Sequence, residues 1–273
     1  MTTWFAAVAA LRAAREAGVL VTVTDVRGHA PREAGAKMVV SAASTWASIG
    51  GGNLEEEAVR RAREMVTSGA TAPESYTARL SDKAPFQHGV QCCGGDVTVL
   101  LEPLPVVPSV AIFGVGHVGL ELARILARHD LELHLVDSRE THLSDAELAP
   151  LADSVAAVHA HHVPVIPELV LGGLPRGTRV LVLTHDHAED LAIIDAALRS
   201  EHLGPIGLIG SSAKWARFRS QLAAAGLPPE VIDRVETPIG FPGVTTSKDP
   251  AAIAVSVAAA LLAAFEREGA RLT

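Results

Sequence analysis

The chain changes its hydrophobic period partway along, and the change divides it in two. Residues 3–17 set Phe5, Val8, Ala9 and Leu11 among Arg and Glu, a spacing that predicts an amphipathic helix closed by Gly18. Val19–Val26 is β-branched and alternating, Arg27–Gly35 carries turn residues, and Lys37–Ser41 with Ala47–Ile49 reads as further strand. After Gly50-Gly51-Gly52, the Glu-, Ala- and Arg-rich run Asn53–Val66 opens on a cap-competent Asn53 and predicts a helix. Ser75–Leu80 and Asp96–Leu101 add strands, so the first part reads as a small α+β unit.

Pro103, Pro105 and Pro108 follow within a few residues of one another. Proline lacks the backbone N–H and fixes φ, which makes such a stretch poor helix and poor sheet. The boundary belongs there, giving domains of 1–104 and 105–273. Beyond it the order becomes strand (Val110–Phe113), glycine turn, helix (Val118–Arg128) and strand (Leu131–Val136). Apolar strands at Arg179–Leu183 and Ile206–Ile209 each precede a helical stretch, so the fold class is α/β, an open parallel sheet of Rossmann type behind the smaller α+β domain. A last helix is predicted from Asp249-Pro250 to Glu268, with its apolar face packed back on the N-terminal domain.

Bulk properties narrow the partners. The formal net charge of −8 opposes a phosphate-gathering surface, so nucleic acid is not an expected ligand. Arg12, Arg15 and Glu16 interrupt the N-terminal apolar stretch, which has neither a secretory pattern nor a membrane span; a cytoplasmic protein is expected. The two cysteines, Cys92 and Cys93, are adjacent and cannot staple distant segments.

Chemistry concentrates in a few places. In Gly114-Val115-Gly116-His117-Val118-Gly119, the first glycine allows the turn, the second lets amides approach a pyrophosphate, and the third lets helix lie on strand. Asp137, at the end of the next strand, is placed to accept from ribose hydroxyls. The competing reading is a scaffold whose glycines serve the turn alone. Gly50, Gly51 and Gly52 run from strand into helix and offer a second anion-binding turn, or a plain connection. Either Cys92 or Cys93 offers a thiol to a soft metal, or else one is a small buried hydrophobe; two sulfurs cannot close a zinc site without His88 or a second chain. Thr184-His185-Asp186-His187-Ala188-Glu189-Asp190 has the wrong register for the HxHxDH of metallo-hydrolases, so His185 and His187 read as lining a ligand crevice. His159, His161 and His162 read as exposed loop residues, and no metal site is expected.

Taken jointly, these segments resemble the xanthine dehydrogenase accessory protein family, XdhC/CoxI, over nearly the whole chain. The resemblance is carried by Gly35-Ala36-Lys37-Met38-Val39-Val40, Ser48-Ile49-Gly50-Gly51-Gly52 with Leu54-Glu55, and Cys93-Gly94-Gly95 leading to Leu100-Leu101-Glu102-Pro103-Leu104. It continues through Ile112–Gly119, Thr184-His185-Asp186-His187, and Ile206-Gly207-Leu208-Ile209-Gly210-Ser211 with Lys214. It implies a non-enzymatic chaperone that binds molybdenum cofactor (molybdopterin), protects it while a cysteine desulfurase supplies the terminal sulfur, and delivers it to an apo molybdenum hydroxylase of xanthine dehydrogenase type. Gly114, Gly116, His117 and Gly119 would then hold phosphate, Asp137 a ribose, and Cys92 or Cys93 would face the molybdenum. A homodimer is expected. After Pro238-Ile239-Gly240 the chain departs from the leucine-rich family pattern, running Phe241-Pro242-Gly243-Val244.

Two other functions compete, an NAD(P)-dependent oxidoreductase and a nucleotide-sensing regulatory protein. The first lacks a Tyr-x-x-x-Lys proton-transfer pair, since the single tyrosine is Tyr76, outside the Rossmann half.

Overall fold

The computed structural model describes residues 3–80, 95–241 and 247–269. Cys92, Cys93 and His88 lie outside the described residues. The chain divides into two compact units, one running to Val106 and the other from Val107 to Glu268.

In the first unit, α1 (Trp4–Ala14), β1 (Gly18–Gly28), β2 (Lys37–Ser41), β3 (Thr45–Ala47), α2 (Gly52–Ser68), β4 (Glu74–Leu80) and β5 (Gly95–Leu104) follow in order. The five strands pair antiparallel in the order β3-β2-β1-β5-β4. Alternation decides the two faces. Val21, Met38, Val40, Val99 and Leu101 meet Leu54, Ala58 and Ala62 of α2, while Val39 turns the other way onto Ala7 and Leu11 of α1.

Local details depart from the sequence reading. Helix α1 stops at Ala14 because Arg15 takes a left-handed cap (φ 53°), so Gly18 is not its stop. Gly18 instead opens β1 where Leu11 presses close: an added Cβ would stand 2.5 Å from Leu11 Cδ1. Helix α2 begins at Gly52 with Gly51 as its cap, so Asn53 lies inside the helix.

The second unit runs β6 (Ser109–Phe113), α3 (His117–Leu126), β7 (Glu132–Asp137), α4 (Asp145–Leu148), β8 (Ala157–His162), β9 (Arg179–Val182), α5 (His187–Leu198), β10 (Ile206–Leu208), α6 (Ser212–Ala224), α7 (Pro229–Ile232), β11 (Val235–Glu236) and α8 (Pro250–Arg267). All strand pairings are parallel, in the order β11-β10-β9-β6-β7-β8. The first strand, β6, is central; the chain builds outward through β7 and β8, then crosses back to β9. The reversal between β6 and β9 opens the crevice where open α/β sheets bind ligands. One face of the sheet packs Ala111, Phe113, Val136 and Val180 against Ile193 and Ile194 of α5 and Phe218 of α6.

Helix α8 packs on α3 within the second unit. It buries Ala254, Val257, Ala258, Leu261 and Phe265. Arg179, buried at the start of β9, holds it by bonding Glu268 and by lying over the Phe265 ring at 5.3 Å. Helix α8 is long and apolar enough to cross a membrane by length and composition alone.

His159, His161 and His162, expected in a loop, lie in strand β8. It is a strand because β7 supplies a full parallel ladder, from Glu132 opposite Ala157 to Asp137 opposite His162. Backbone pairing on a sheet edge does not require apolar side chains.

Leu101 is fully buried beneath α2. Leu101→Ala is expected to destabilise the first unit by about 2–5 kcal/mol, as buried leucine truncations do, read as a lower urea midpoint.

Candidate functional site

The glycine turn is built by close approach. Gly114 has φ 97°, and a Cβ there would lie 2.6 Å from the Leu183 carbonyl, so the turn after β6 presses on the segment after β9. A Cβ on Gly119 would sit 2.2 Å from the Gly114 oxygen, which is why α3 can lie flat on its strand only with glycine there. Gly116 is different. An added Cβ would meet nothing nearer than Arg139 Nη2, at 4.0 Å. The turn is thus tight at both ends and open in the middle, where a ligand would lie.

Three helices start at the C-terminal edge of this sheet beside the crevice, and they are not equivalent as anion sites. The first-turn amides of α5 are taken by its own cap, because Asp186 Oδ1 accepts from Ala188 N–H at 2.6 Å and Glu189 N–H at 3.1 Å. Those two amides hold the Asp186 carboxyl below its ordinary value. Helix α6 is capped by Ser211, which accepts from Lys214 N–H. Helix α3 has Gly116 as cap and no side-chain cap bond. Its positive end therefore stays available to an outside anion.

Asp137 does not present an open ribose acceptor. Its side chain is only 2% exposed. Oδ2 accepts from Val115 N–H at 2.7 Å, and Oδ1 accepts from Arg139 N–H at 2.9 Å. The Arg139 guanidinium adds Nε to Oδ1 at 2.9 Å and Nη2 to Oδ2 at 3.0 Å. Burial pushes this carboxyl up, but the donors from Arg139 and Val115 outweigh it and hold it below the ordinary carboxylate value. Asp137 thus fastens the glycine turn and aims Arg139 along it. Arg139 was not singled out from sequence; an arginine two residues past the strand-end acid was the available signal.

The opposite lip comes from the segment after β9. His185, His187 and His117 are all exposed. Glu189 stands between, and its carboxyl is raised, first by burial and then by the Asp137 carboxylate. Below it lies a buried ion pair: Lys214 Nζ donates to Asp190 Oδ2 at 2.5 Å and to the Ile209 carbonyl at 3.0 Å. Asp190 Oδ1 accepts from Thr184 N–H and from its hydroxyl. Asp190 is fully buried and Lys214 12% exposed, so this network locks the loops after β9 and β10 together. Gly210 permits it, because a Cβ there would stand 2.8 Å from Lys214 Cδ.

Gly50, Gly51 and Gly52 belong to the first unit, where Gly51 caps α2 without a side-chain cap bond. Glu55 Oε2 accepts from Ile49 N–H and Gly51 N–H, each at 3.1 Å, and from the Ser48 hydroxyl, while Gly50 N–H donates to Ser48 Oγ. The Ile49, Gly50 and Gly51 amides are thus bonded within the chain. Cys92 and Cys93 fall outside the described residues.

Two predictions follow from these contacts. Asp137→Asn should lower the urea midpoint at neutral pH. A carboxyl lowered in the folded state stabilises above its unfolded value and loses that contribution as pH falls through the folded value. The gap between wild type and variant is therefore expected to be full above about pH 5 and to narrow below 3.8, the ordinary aspartate value. Lys214→Met strands a buried carboxylate and should cost about 3–5 kcal/mol in denaturant, part of it recovered when Asp190→Leu is added.

Two family models match this chain. The XdhC Rossmann domain covers residues 110–261, more than half its length, and the XdhC and CoxI family covers residues 11–77. Among curated proteins, the uncharacterized protein YqeB of Escherichia coli is 24% identical over 243 residues, 89% of this chain and 42% of that protein. The chain thus spans under half the length of YqeB. The molybdenum cofactor insertion chaperone PaoD of the same organism is 26% identical over 270 residues, covering 88% of this chain and 81% of PaoD. A solved structure described as a xanthine dehydrogenase from Bacillus halodurans aligns over 97% of this chain and 96% of its own, at 18% identity and a TM-score of 0.47.

Proposed function

The chain belongs to the XdhC and CoxI family, and on that premise we propose that it is a maturation chaperone that carries molybdenum cofactor to a molybdenum hydroxylase of xanthine dehydrogenase type. The cargo is a phosphorylated, anionic pterin. One observation carries the reading: the first turn of α3 has no side-chain cap, Gly116 leaves space beside it, and Arg139 is held at its edge. The His117, Val118 and Gly119 amides would grip the phosphate from the helix end. Arg139 would close over it. Two of its five N–H groups are bound to Asp137, and the rest can serve an anion. His185 and His187 would border the remainder of the cargo.

The metal end is given to Cys92 or Cys93, as a soft ligand for molybdenum, with a cysteine desulfurase supplying sulfur while the cargo is sheltered. The partners in this reading are that desulfurase, the apo-hydroxylase and a second copy of the chain, in the cytoplasm. The chain itself turns nothing over. The alternative of an NAD(P)-dependent oxidoreductase is weakened by Asp137, whose two oxygens are committed to the chain's own donors rather than open to a ribose.

Protein purified from a cofactor-producing host should release a phosphorylated pterin by mass spectrometry. Arg139→Ala is expected to cut the retained amount at least tenfold, and joint replacement of Cys92 and Cys93 with serine should also lower it. Release of NAD(P) in its place, with hydride transfer to an acceptor, would overturn the reading.

A further inference from the structure

The edge strand β8 brings together side chains that the proposed chaperone site does not use. In the β7–β8 ladder His134 stands opposite His159, and Val136 opposite His161. Successive residues of a strand face opposite sides, so Glu132 and His134 on β7 share one face with His159 and His161 on β8. Glu132, His134 and His159 each offer a ligand atom, and these atoms lie within 4.8 Å of one another. The rings of His134 and His159 stack with centroids 4.8 Å apart, and those of His134 and His161 at 5.4 Å. His159 and His161 are thus strand residues with the Glu132 carboxylate on the same face, rather than loop residues.

We propose that Glu132, His134 and His159 form a binding site for a divalent cation of the zinc class at the open edge of the Rossmann sheet. The donor set is two imidazoles and a carboxylate, which suits zinc and its neighbours better than magnesium or calcium. His134 Nδ1 lies 3.1 Å from His161 Nε2, so an ion held through His134 Nε2 would leave Nδ1 to bond His161. Nε2 is 3.9 Å from Glu132 Oε2. Ligating histidines commonly bond outward through their second nitrogen, and His161 fills that orienting role here.

Donors about 2.0–2.2 Å from a tetrahedral ion stand about 3.4 Å apart. The exposed His159 and half-buried Glu132 can close that difference by turning their side chains, while buried His134 stays fixed. The exposed side of His159 leaves the fourth position to water. The ion would fasten the outer strand to β7, on an edge that is otherwise a template for foreign strands.

The experiment uses the full chain carrying Cys92→Ser and Cys93→Ser, so that thiols cannot bind the probe. After removal of metal by dialysis against a chelator, Zn²⁺ is titrated in competition with a chromophoric chelator. One equivalent with micromolar or tighter affinity is expected, accompanied by a rise in melting temperature. His159→Ala, at an exposed position that folding does not need, should weaken binding at least tenfold. His161→Ala should weaken it less, and His162→Ala, on the opposite face, should leave it unchanged. Zn²⁺ affinity unaltered by His159→Ala, or no binding below millimolar, would overturn the site.

Discussion

The carboxylate of Asp137 is the pivot of the second unit. It reaches from the end of β7 to the Val115 amide in the glycine turn, and it accepts from the backbone and guanidinium of Arg139. Three things depend on this group: the shape of the turn after β6, the side of the turn on which arginine stands, and the charge balance next to Glu189. A buried carboxylate is costly unless donors surround it, and here every donor belongs to a segment that forms the crevice. Stability of the fold and readiness of the site are consequently the same set of contacts.

Much of the architecture was legible in the sequence because period and punctuation agreed. The βαβ order around Gly114–Gly119 specified the Rossmann sheet, whereas Pro103, expected to break sheet, is accommodated within β5 opposite Val19. What escaped notice did so for physical reasons. Strand β8 spells Ala-Val-His-Ala-His-His, and no apolar alternation marks it, because its partner β7 supplies the pairing from outside the segment. Helix α8 reads as a sticky apolar rod, and nothing in its own residues says that α3 and Arg179 will receive it.

Site residues were legible by type more than by role. Asp137 was noticed as an acid at a strand end, yet which donors occupy it depends on Arg139 folding back two residues later. The stretch from Gly207 to Lys214 drew attention only through resemblance. Its logic is three-dimensional: Gly207 lies against Ile239, Gly210 lets the lysine stem pass, and the ammonium reaches Asp190 on a different helix. Spacing along a chain cannot reveal a pair separated by 24 residues.

In the first unit, Glu55 reaches back from the first turn of α2 to the Ile49 and Gly51 amides and the Ser48 hydroxyl. The helix therefore shapes the bend that leads into it, and one side chain couples the end of the preceding chain segment to the place where the helix begins.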